Sequence, residues 1–199
     1  MFTSPRPRPA PAWTVGRSLR PSPRAADRGA LIEVVQGGLG LVQAEQLLVE
    51  FGRHAAALFA DVPGLAADVL ADCTWQAAPG QLAEPYRAPM GALLLARRGP
   101  TAVGVLALRP LPGHADVAEL KRLYVRRGHR GEGIARALLA RALGEARRQG
   151  YRELRLETSE RMPDALHLYR QAGFRPVPAY RPRAATLAPH FLPLSLPLS

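Results

Sequence analysis

The sequence predicts an α/β protein with a mixed sheet and helices on both of its faces. Apolar runs of strand length recur between turns rich in glycine and proline, and longer stretches repeat their apolar residues at helical spacing. Strands and helices alternate in the second half of the chain. Two strands there are therefore expected to lie parallel, joined by a right-handed crossover through a helix.

The first half of the chain is predicted to form a strand, two helices and a hairpin. A strand over residues 30–35 is followed by the turn GGLG and an amphipathic helix over 41–59. A second helix is expected over 65–76. The apolar runs at 90–96 and 102–111 predict a hairpin of central strands, because neither run has a polar face.

The second half is predicted to build the rest of the sheet around two further helices. The expected elements, in order, are a strand over Val117–Val125, a glycine-rich loop, a helix that ends at Gly150, a strand over 151–158, a helix over 164–172, a strand begun by FRPVP and a last strand near 190–194. Pro163 suits the first turn of the shorter helix, and Gly173 suits its end.

Composition indicates one folded domain and is compatible with a reducing compartment. The chain has 199 residues, 47% of them hydrophobic, which is enough for a sizeable core. No apolar run approaches the roughly 18 residues of a membrane helix. The single cysteine, Cys73, excludes an internal disulfide and is expected to be a buried or half-buried thiol. We therefore expect a soluble, cytoplasmic protein that makes no membrane contacts.

A basic arm precedes the predicted domain. Residues 1–28 hold six arginines and one aspartate, nearly half of the net charge of +11, and are rich in proline. This composition predicts a disordered arm over 1–28 and a folded domain over 29–199. The arm is open to three interpretations: a flexible tail or misassigned start, a segment that binds an acidic partner, or an organelle transit peptide. Without interleaved aromatic residues, it does not indicate a specific nucleic-acid site.

The segment RRGHRGEGIARALLARALGEARRQG, residues 126–150, predicts an anion-binding loop. Glycines let backbone N–H groups approach an anion closely, and a helix N-terminus adds unpaired N–H groups and partial positive charge. The positive side chains of the segment strengthen this prediction; they are Arg127, His129, Arg130 and Arg136.

Three phosphate-binding motifs can be compared with this loop. A Walker loop needs a lysine, and the only lysine of the chain is Lys121. A dinucleotide fingerprint fits at Gly131 and Gly133, and Glu153 lies at a suitable distance, but Arg136 stands at the third glycine position. The pattern R-x-x-G-x-[GA] matches at every fixed place, from Arg130 to Ala135.

With its context, this match resembles the GNAT superfamily of N-acetyltransferases. The strand ELKRLYV precedes the loop, GYRELRLET follows the helix, and ALHLYRQAGF is similar to a second signature of the family, A-x-x-L-Y-x-x-x-G-F. The resemblance covers about residues 30–180, most closely 119–174. It implies a mostly antiparallel sheet whose central parallel strands, Val117–Val125 and 151–158, splay apart around acetyl-CoA.

The resemblance also implies the groups that bind the cofactor. Backbone N–H groups of the loop would hold the pyrophosphate, and the strand backbone at Leu123 and Val125 would pair with the pantetheine. A backbone N–H in this strand would polarise the thioester carbonyl. The implied cofactor-binding residues are Leu123, Tyr124, Val125, Arg130, Gly131, Glu132, Gly133, Ile134, Ala135 and Arg136.

Two residues are the candidate catalytic groups. Glu119 matches a family glutamate that acts as general base, directly or through water, and strand alternation would place it on one face with Lys121, Leu123 and Val125. The alternatives for Glu119 are an ion pair with Lys121 or Arg122, or an anchor for the substrate amine. Tyr169 matches a tyrosine near the CoA sulfur and would protonate the thiolate. The alternative for Tyr169 is a core position.

One family contact is in doubt, because Met162 stands where many members have an asparagine that touches CoA. His114 and His167 lack metal-ligand spacing, so no metal is expected. The sequence has no G-x-S-x-G motif, so it does not indicate a serine hydrolase.

The predicted function is acetyl-CoA-dependent transfer of an acetyl group to a primary amine, by direct attack in a ternary complex. The acceptor would be a small molecule or a protein, and the positive charge of the chain favours acceptors with a carboxylate or phosphate. The alternative is a non-catalytic module that senses CoA or associates with nucleic acid. A monomer or a homodimer is expected.

Overall fold

The computed structural model describes residues 29–62, 64–67, 69, 84–183 and 188–198. The strands are β1 (Leu31–Val34), β2 (Ala92–Arg98), β3 (Thr101–Pro110), β4 (Val117–Val125), β5 (Glu153–Thr158), β6 (Arg175–Pro176) and β7 (Leu192–Pro197). The α-helices with defined bounds are α1 (Gly38–Leu58), α2 (Ile134–Arg148) and α3 (Pro163–Gln171). Each lies within a few residues of its predicted position.

The strands form one sheet in the order β1-β2-β3-β4-β5-β7-β6. All neighbouring strands are antiparallel except β4 and β5, which are parallel and joined through α2. This confirms the predicted mixed sheet and its one helical crossover. The chain reaches β6 before it returns through β7, which inserts between β5 and β6.

The two faces of the sheet carry separate cores. On one face α2 buries Leu138 and Leu139 completely against β2, β3 and β4. On the other face α1 buries Leu41 and Leu47 against the opposite side of β2 and β3. Each buried leucine contributes roughly 1.5–3 kcal/mol relative to an exposed one. Helices therefore cover both faces of the central strands. This agrees with the hairpin sequence, whose apolar runs have no polar face.

A β-bulge interrupts β4 at the point where the strand enters the site. Val105 pairs with Tyr124 and Ala107 with Lys121, so one residue of β3 lies opposite two residues of β4. Arg122, one of these two, has a φ of 60°. A bulge adds one residue to a strand and so reverses the alternation of its side chains.

The bulge corrects one expectation. Ala118 and Leu120 pack on the α2 side, and beyond the bulge Leu123 and Val125 pack on that same side. Glu119, which pairs with Arg109, therefore faces the α1 side of the sheet. The expectation that Glu119, Lys121, Leu123 and Val125 share one face is wrong, because uniform alternation does not continue through Arg122.

Some predicted elements lie partly or wholly outside the described residues. Residues 65–67 and 69 are helical, as expected, while the rest of the predicted second helix lies outside the described residues, and so does Cys73. The arm over 1–28 lies outside them too, so the proposed domain division stays a prediction. Among the helices described, none is long and apolar enough to cross a membrane.

Candidate active site

The site begins where β4 and β5 separate. Their backbones pair only between residues 117–119 and 153–155, after which both strands continue apart. A cavity lies at this divergence and is lined by residues of both strands and of the helices on either face. Its described lining is Phe51, Ala55, Phe59, Val69, Leu120, Lys121, Arg122, Leu123, Glu157, Thr158, Ser159, Met162, Ala165, Tyr169, Arg183 and Phe191. The divergence agrees with the splayed strands that the sequence motifs predict.

The glycine loop connects the end of β4 to the start of α2. Gly131 and Gly133 both have a φ of 79°, in the left-handed region that glycine adopts without strain, and Gly133 is the N-cap of α2. The first backbone N–H of this helix that finds a backbone acceptor belongs to Ala137. Within the described part of the chain, the N–H groups of residues 131–136 lack such an acceptor, as an anion-binding helix start requires.

Two charged side chains of the loop stabilise its conformation. Arg130 donates from Nε to the carbonyl oxygen of Val125 at 3.1 Å, and its guanidinium lies 6.0 Å from the ring centre of Tyr124. Glu132 accepts a hydrogen bond from Arg98 of β2. Arg130 thus ties the loop to the end of β4, and Arg98 offsets the carboxylate that would otherwise repel an anion. Direct contact of Arg130 or Glu132 with a ligand stays a prediction.

The first residues of α2 anchor the loop to the core. Ile134 is buried and Ala135 is half-buried in the α2 core. Arg136 is exposed and donates to Gln171 of α3 at 3.1 Å, which links the two helices beside the loop. The loop is therefore held on both sides of its glycines, and its backbone N–H groups keep a fixed direction.

The three predicted residues at the end of β4 have different environments. Leu123 lines the cavity, and Val125 is buried beneath α2. Tyr124 points to the opposite face and packs against Phe51 and His54 of α1, with ring centres 6.3 and 6.2 Å away. A contact of these residues with a ligand would therefore come from their backbone and from the Leu123 side chain.

Glu119 is completely buried in an ion-pair cluster beside the cavity. Its carboxylate accepts hydrogen bonds from Arg109 Nε and Nη2, at 3.0 and 2.9 Å, and from Arg181. The Tyr180 hydroxyl donates to it at 3.4 Å. Sequence reasoning names none of these three partners. Since two guanidinium groups and a phenol surround the carboxylate, a substrate cannot reach it directly in this conformation.

Tyr169 lies in the cavity wall, on α3. It is 6% exposed and meets Phe174 edge-on, with ring centres 5.6 Å apart. Burial raises the pKa of its hydroxyl well above the usual value, because the charged phenolate would lose its hydration. The hydroxyl therefore stays protonated at neutral pH, as a proton donor requires. Tyr169 thus packs in the core and also lines the cavity, so its position agrees with a core role and with a role beside the ligand.

The sequence prediction also misses three residues of the cavity wall, which are Thr158, Glu157 and Arg183. Thr158, at the end of β5, is 5% exposed and lines the cavity, and its Oγ1 has no hydrogen-bond partner among the described residues. Glu157 lines the cavity next to Arg183, which donates to it at 2.5 Å. Strand alternation alone would have placed Thr158 on the apolar face of Leu154 and Leu156, where a hydroxyl is unusual.

Met162 also lines the cavity, immediately before the first turn of α3. Its thioether cannot replace the amide of an asparagine as a hydrogen-bond donor. Within the described ranges, no group of three histidine, cysteine, aspartate or glutamate residues is placed to hold a metal ion.

The fold and the site share the features of one protein class: a mixed sheet whose two parallel strands diverge, and a glycine-rich loop that starts the helix between them. The chain belongs to the acetyltransferase (GNAT) family, whose sequence profile matches residues 64–174. This confirms the resemblance drawn from the loop and from the signature around Tyr169.

Curated relatives and solved structures agree with this assignment. N-acetyltransferase 8F1 of Rattus norvegicus is 37% identical over 97 residues, which are 47% of this chain and 44% of the rat protein. An N-acetyltransferase of Schizosaccharomyces pombe is 34% identical over 113 residues, 55% of this chain and 69% of that protein. The chain thus spans less than half the length of the rat relative.

Two crystal structures show the same fold. A protein of Klebsiella pneumoniae described as an acyl-CoA N-acyltransferase superposes with a TM-score of 0.60 at 22% identity, covering 85% of this chain and 98% of the other. A GNAT acetyltransferase of Staphylococcus aureus superposes with a TM-score of 0.57 at 18% identity, covering 85% of this chain and 100% of the other. The predicted fold class is confirmed.

Proposed function

We propose that the protein transfers an acetyl group from acetyl-CoA to a primary amine, by direct attack within a ternary complex. One observation carries this proposal: β4 lines the cavity together with Tyr169 and leads directly into the glycine loop whose N–H groups start α2. A pyrophosphate, an extended pantetheine and a thioester would follow one another along this path.

In the proposed complex the glycine loop binds the pyrophosphate of acetyl-CoA, and β4 orients its pantetheine. The backbone N–H groups of residues 131–136 would hold the pyrophosphate, with positive charge from Arg127 and Arg130 nearby. The edge of β4 that lies beyond its pairing with β5 would hydrogen-bond the pantetheine amides and polarise the thioester carbonyl. From the opposite wall, Thr158 would offer a hydroxyl that has no hydrogen-bond partner among the described residues.

The chemical step forms a C–N bond and breaks the C–S bond of the thioester. Tyr169 would give its proton to the departing thiolate, and the amine would lose a proton toward Glu119. Because Glu119 is fully buried and paired with arginines, we propose that water relays this proton. The cytoplasm, where acetyl-CoA is available, is the proposed location, and the acceptor is a small-molecule or protein amine.

Two measurements test the proposal. Acetyl-CoA at a hundred times its Kd should add about 2.7 kcal/mol to the stability of the fold, which raises the Tm by several degrees. CoA release should then depend on an added amine. The proposal fails if millimolar acetyl-CoA leaves the Tm unchanged, or if no amine in a broad panel increases CoA release.

A further inference from the structure

We infer that the acceptor is a primary amine that carries a carboxylate beside an aromatic or aliphatic group. The inference rests on the proposed function and deepens it, because it names the substrate class of the same cavity. It follows from cationic side chains placed next to an apolar aromatic wall, and from the pairing of the carboxylates nearby.

Positive charge prevails in the cavity. Among the described lining residues, three side chains are cationic, Lys121, Arg122 and Arg183, and one is a carboxylate, Glu157. Glu157 is only 6% exposed and accepts hydrogen bonds from Nη2 and Nε of Arg183, at 2.5 and 3.4 Å. Its charge is therefore compensated by a neighbour, and the wall as a whole attracts an anion.

The second nearby carboxylate is compensated as well. Glu119 lies between Arg109 and Arg181, whose side chains are each 20% exposed. A polyamine would have to displace one of these guanidinium groups to reach a carboxylate, at the cost of a buried ion pair. The cavity is thus unsuited to an acceptor whose only charges are positive.

Lys121 is a distinctive member of this set. It is the one lysine among the 27 lysine and arginine residues of the chain, and it lines the cavity immediately before the bulge. A lysine presents a compact ammonium group on a flexible stem, which suits a single carboxylate in variable positions better than a planar guanidinium does. Lys121 is therefore the residue that we assign to the carboxylate of the acceptor.

The same charges assist the reaction. Neighbouring cations disfavour the protonated form of an amine, so an acceptor bound by its carboxylate presents more of its neutral, nucleophilic form. The anion fixes the orientation of the molecule, and the amine is free to point toward Leu123 and the thioester.

The remaining wall is apolar and aromatic. Phe51, Ala55 and Phe59 of α1 line it, and Phe191 stacks on Phe59 with ring centres 6.3 Å apart. Arg183 lies over the Phe191 ring at 3.7 Å, which joins the aromatic wall to the charged one. An acceptor with an apolar group next to its carboxylate would contact the aromatic wall and the charged wall together.

The contribution of the acceptor carboxylate is measured with three amines at a constant concentration of acetyl-CoA. They are phenylalanine, phenylalaninamide and 2-phenylethylamine. We expect kcat/KM for phenylalanine to exceed the other two at least about tenfold, the value of one charged hydrogen bond. We expect this preference even though the amine of phenylalaninamide is less basic than that of phenylalanine, so that more of it is in the neutral, nucleophilic form at neutral pH. Equal or higher activity with the two amines that lack the carboxylate would overturn the inference.

Variants then assign the effect to a residue. Lys121→Met should reduce the preference for phenylalanine to within about threefold, with the Tm checked for folding. Arg53→Met, which removes an exposed cation of α1 outside the cavity, should keep the preference intact. An unchanged preference in Lys121→Met would remove the assignment to this residue.

A binding experiment separates this inference from the proposed function. With CoA present, the affinities of N-acetylphenylalanine and its uncharged amide are compared by calorimetry. If acetyl-CoA binds but no amine is acetylated, the proposed function fails, and this pair still tests the cavity. Tighter binding of the carboxylate supports anion selection, and equal binding refutes it.

Discussion

Gly133 and Gly150 stand at opposite ends of α2 with nearly the same positive φ, which makes them a matched pair for testing the loop. Their φ angles are 79° and 85°, and a Cβ built on either glycine meets no atom within 4 Å. Alanine at either position would therefore be strained by its backbone alone, without a steric clash. Only Gly133 lies at the end of the helix where we place the pyrophosphate.

The strain sets the expected loss of stability. Alanine in the left-handed region is unfavourable by roughly 1–2 kcal/mol, and the stiffer unfolded chain offsets about half of this. Both variants should thus be destabilised by about 1 kcal/mol, which lowers the Tm of a chain of this size by roughly 2–4 °C. Similar losses are expected because the local geometry is similar.

The affinity for acetyl-CoA should separate the two variants. A methyl group at Gly133 would obstruct one charge-assisted hydrogen bond to a phosphate, which is worth about 1.5–3 kcal/mol. Titration calorimetry should therefore show a Kd about 10- to 100-fold weaker for Gly133→Ala, and an unchanged Kd for Gly150→Ala. Equal affinities in the two variants would refute the assignment of the anion site to this loop.

Three further substitutions test the individual groups of the site. Tyr169→Phe should lower kcat by about 100- to 10,000-fold and leave the Kd for acetyl-CoA unchanged, and an unaltered kcat would leave Tyr169 with a packing role only. Glu119→Gln should destabilise the fold by about 3 kcal/mol, because it removes the anion between Arg109 and Arg181, and a normal Tm would contradict the ion-pair cluster. Thr158→Val should keep or raise the Tm, since no hydrogen bond of the hydroxyl is described, while it weakens acetyl-CoA binding; a lower Tm with normal binding would assign the hydroxyl to the fold instead.

The sequence predicts most of the framework of the site because that framework depends on local signals. Apolar alternation and helical spacing give β4 with its observed bounds, Val117–Val125, and α2 follows from the glycines at its start and end. The left-handed conformations of Gly131 and Gly133 agree with the prediction of a backbone that approaches an anion. These features follow from residues close together in the chain.

The parts that sequence reasoning misses depend on contacts between distant residues. The bulge at Arg122 arises from the register between β3 and β4, and no alternation pattern reveals the extra residue. The partners of Glu119 come from β3 and from the segment around Arg181, 62 positions away along the chain. Spacing on β4 therefore suggested Lys121 and Arg122, which are near in sequence, as partners.

The most direct test of the account is a calorimetric titration of acetyl-CoA into the wild-type protein and into Gly133→Glu. The account predicts saturable binding at one site of the wild-type chain. It also predicts that binding is lost in the variant, since the new side chain adds bulk and negative charge where the pyrophosphate would lie. Equal affinity of the two proteins for acetyl-CoA, or no binding to the wild-type protein at millimolar concentration, would contradict it.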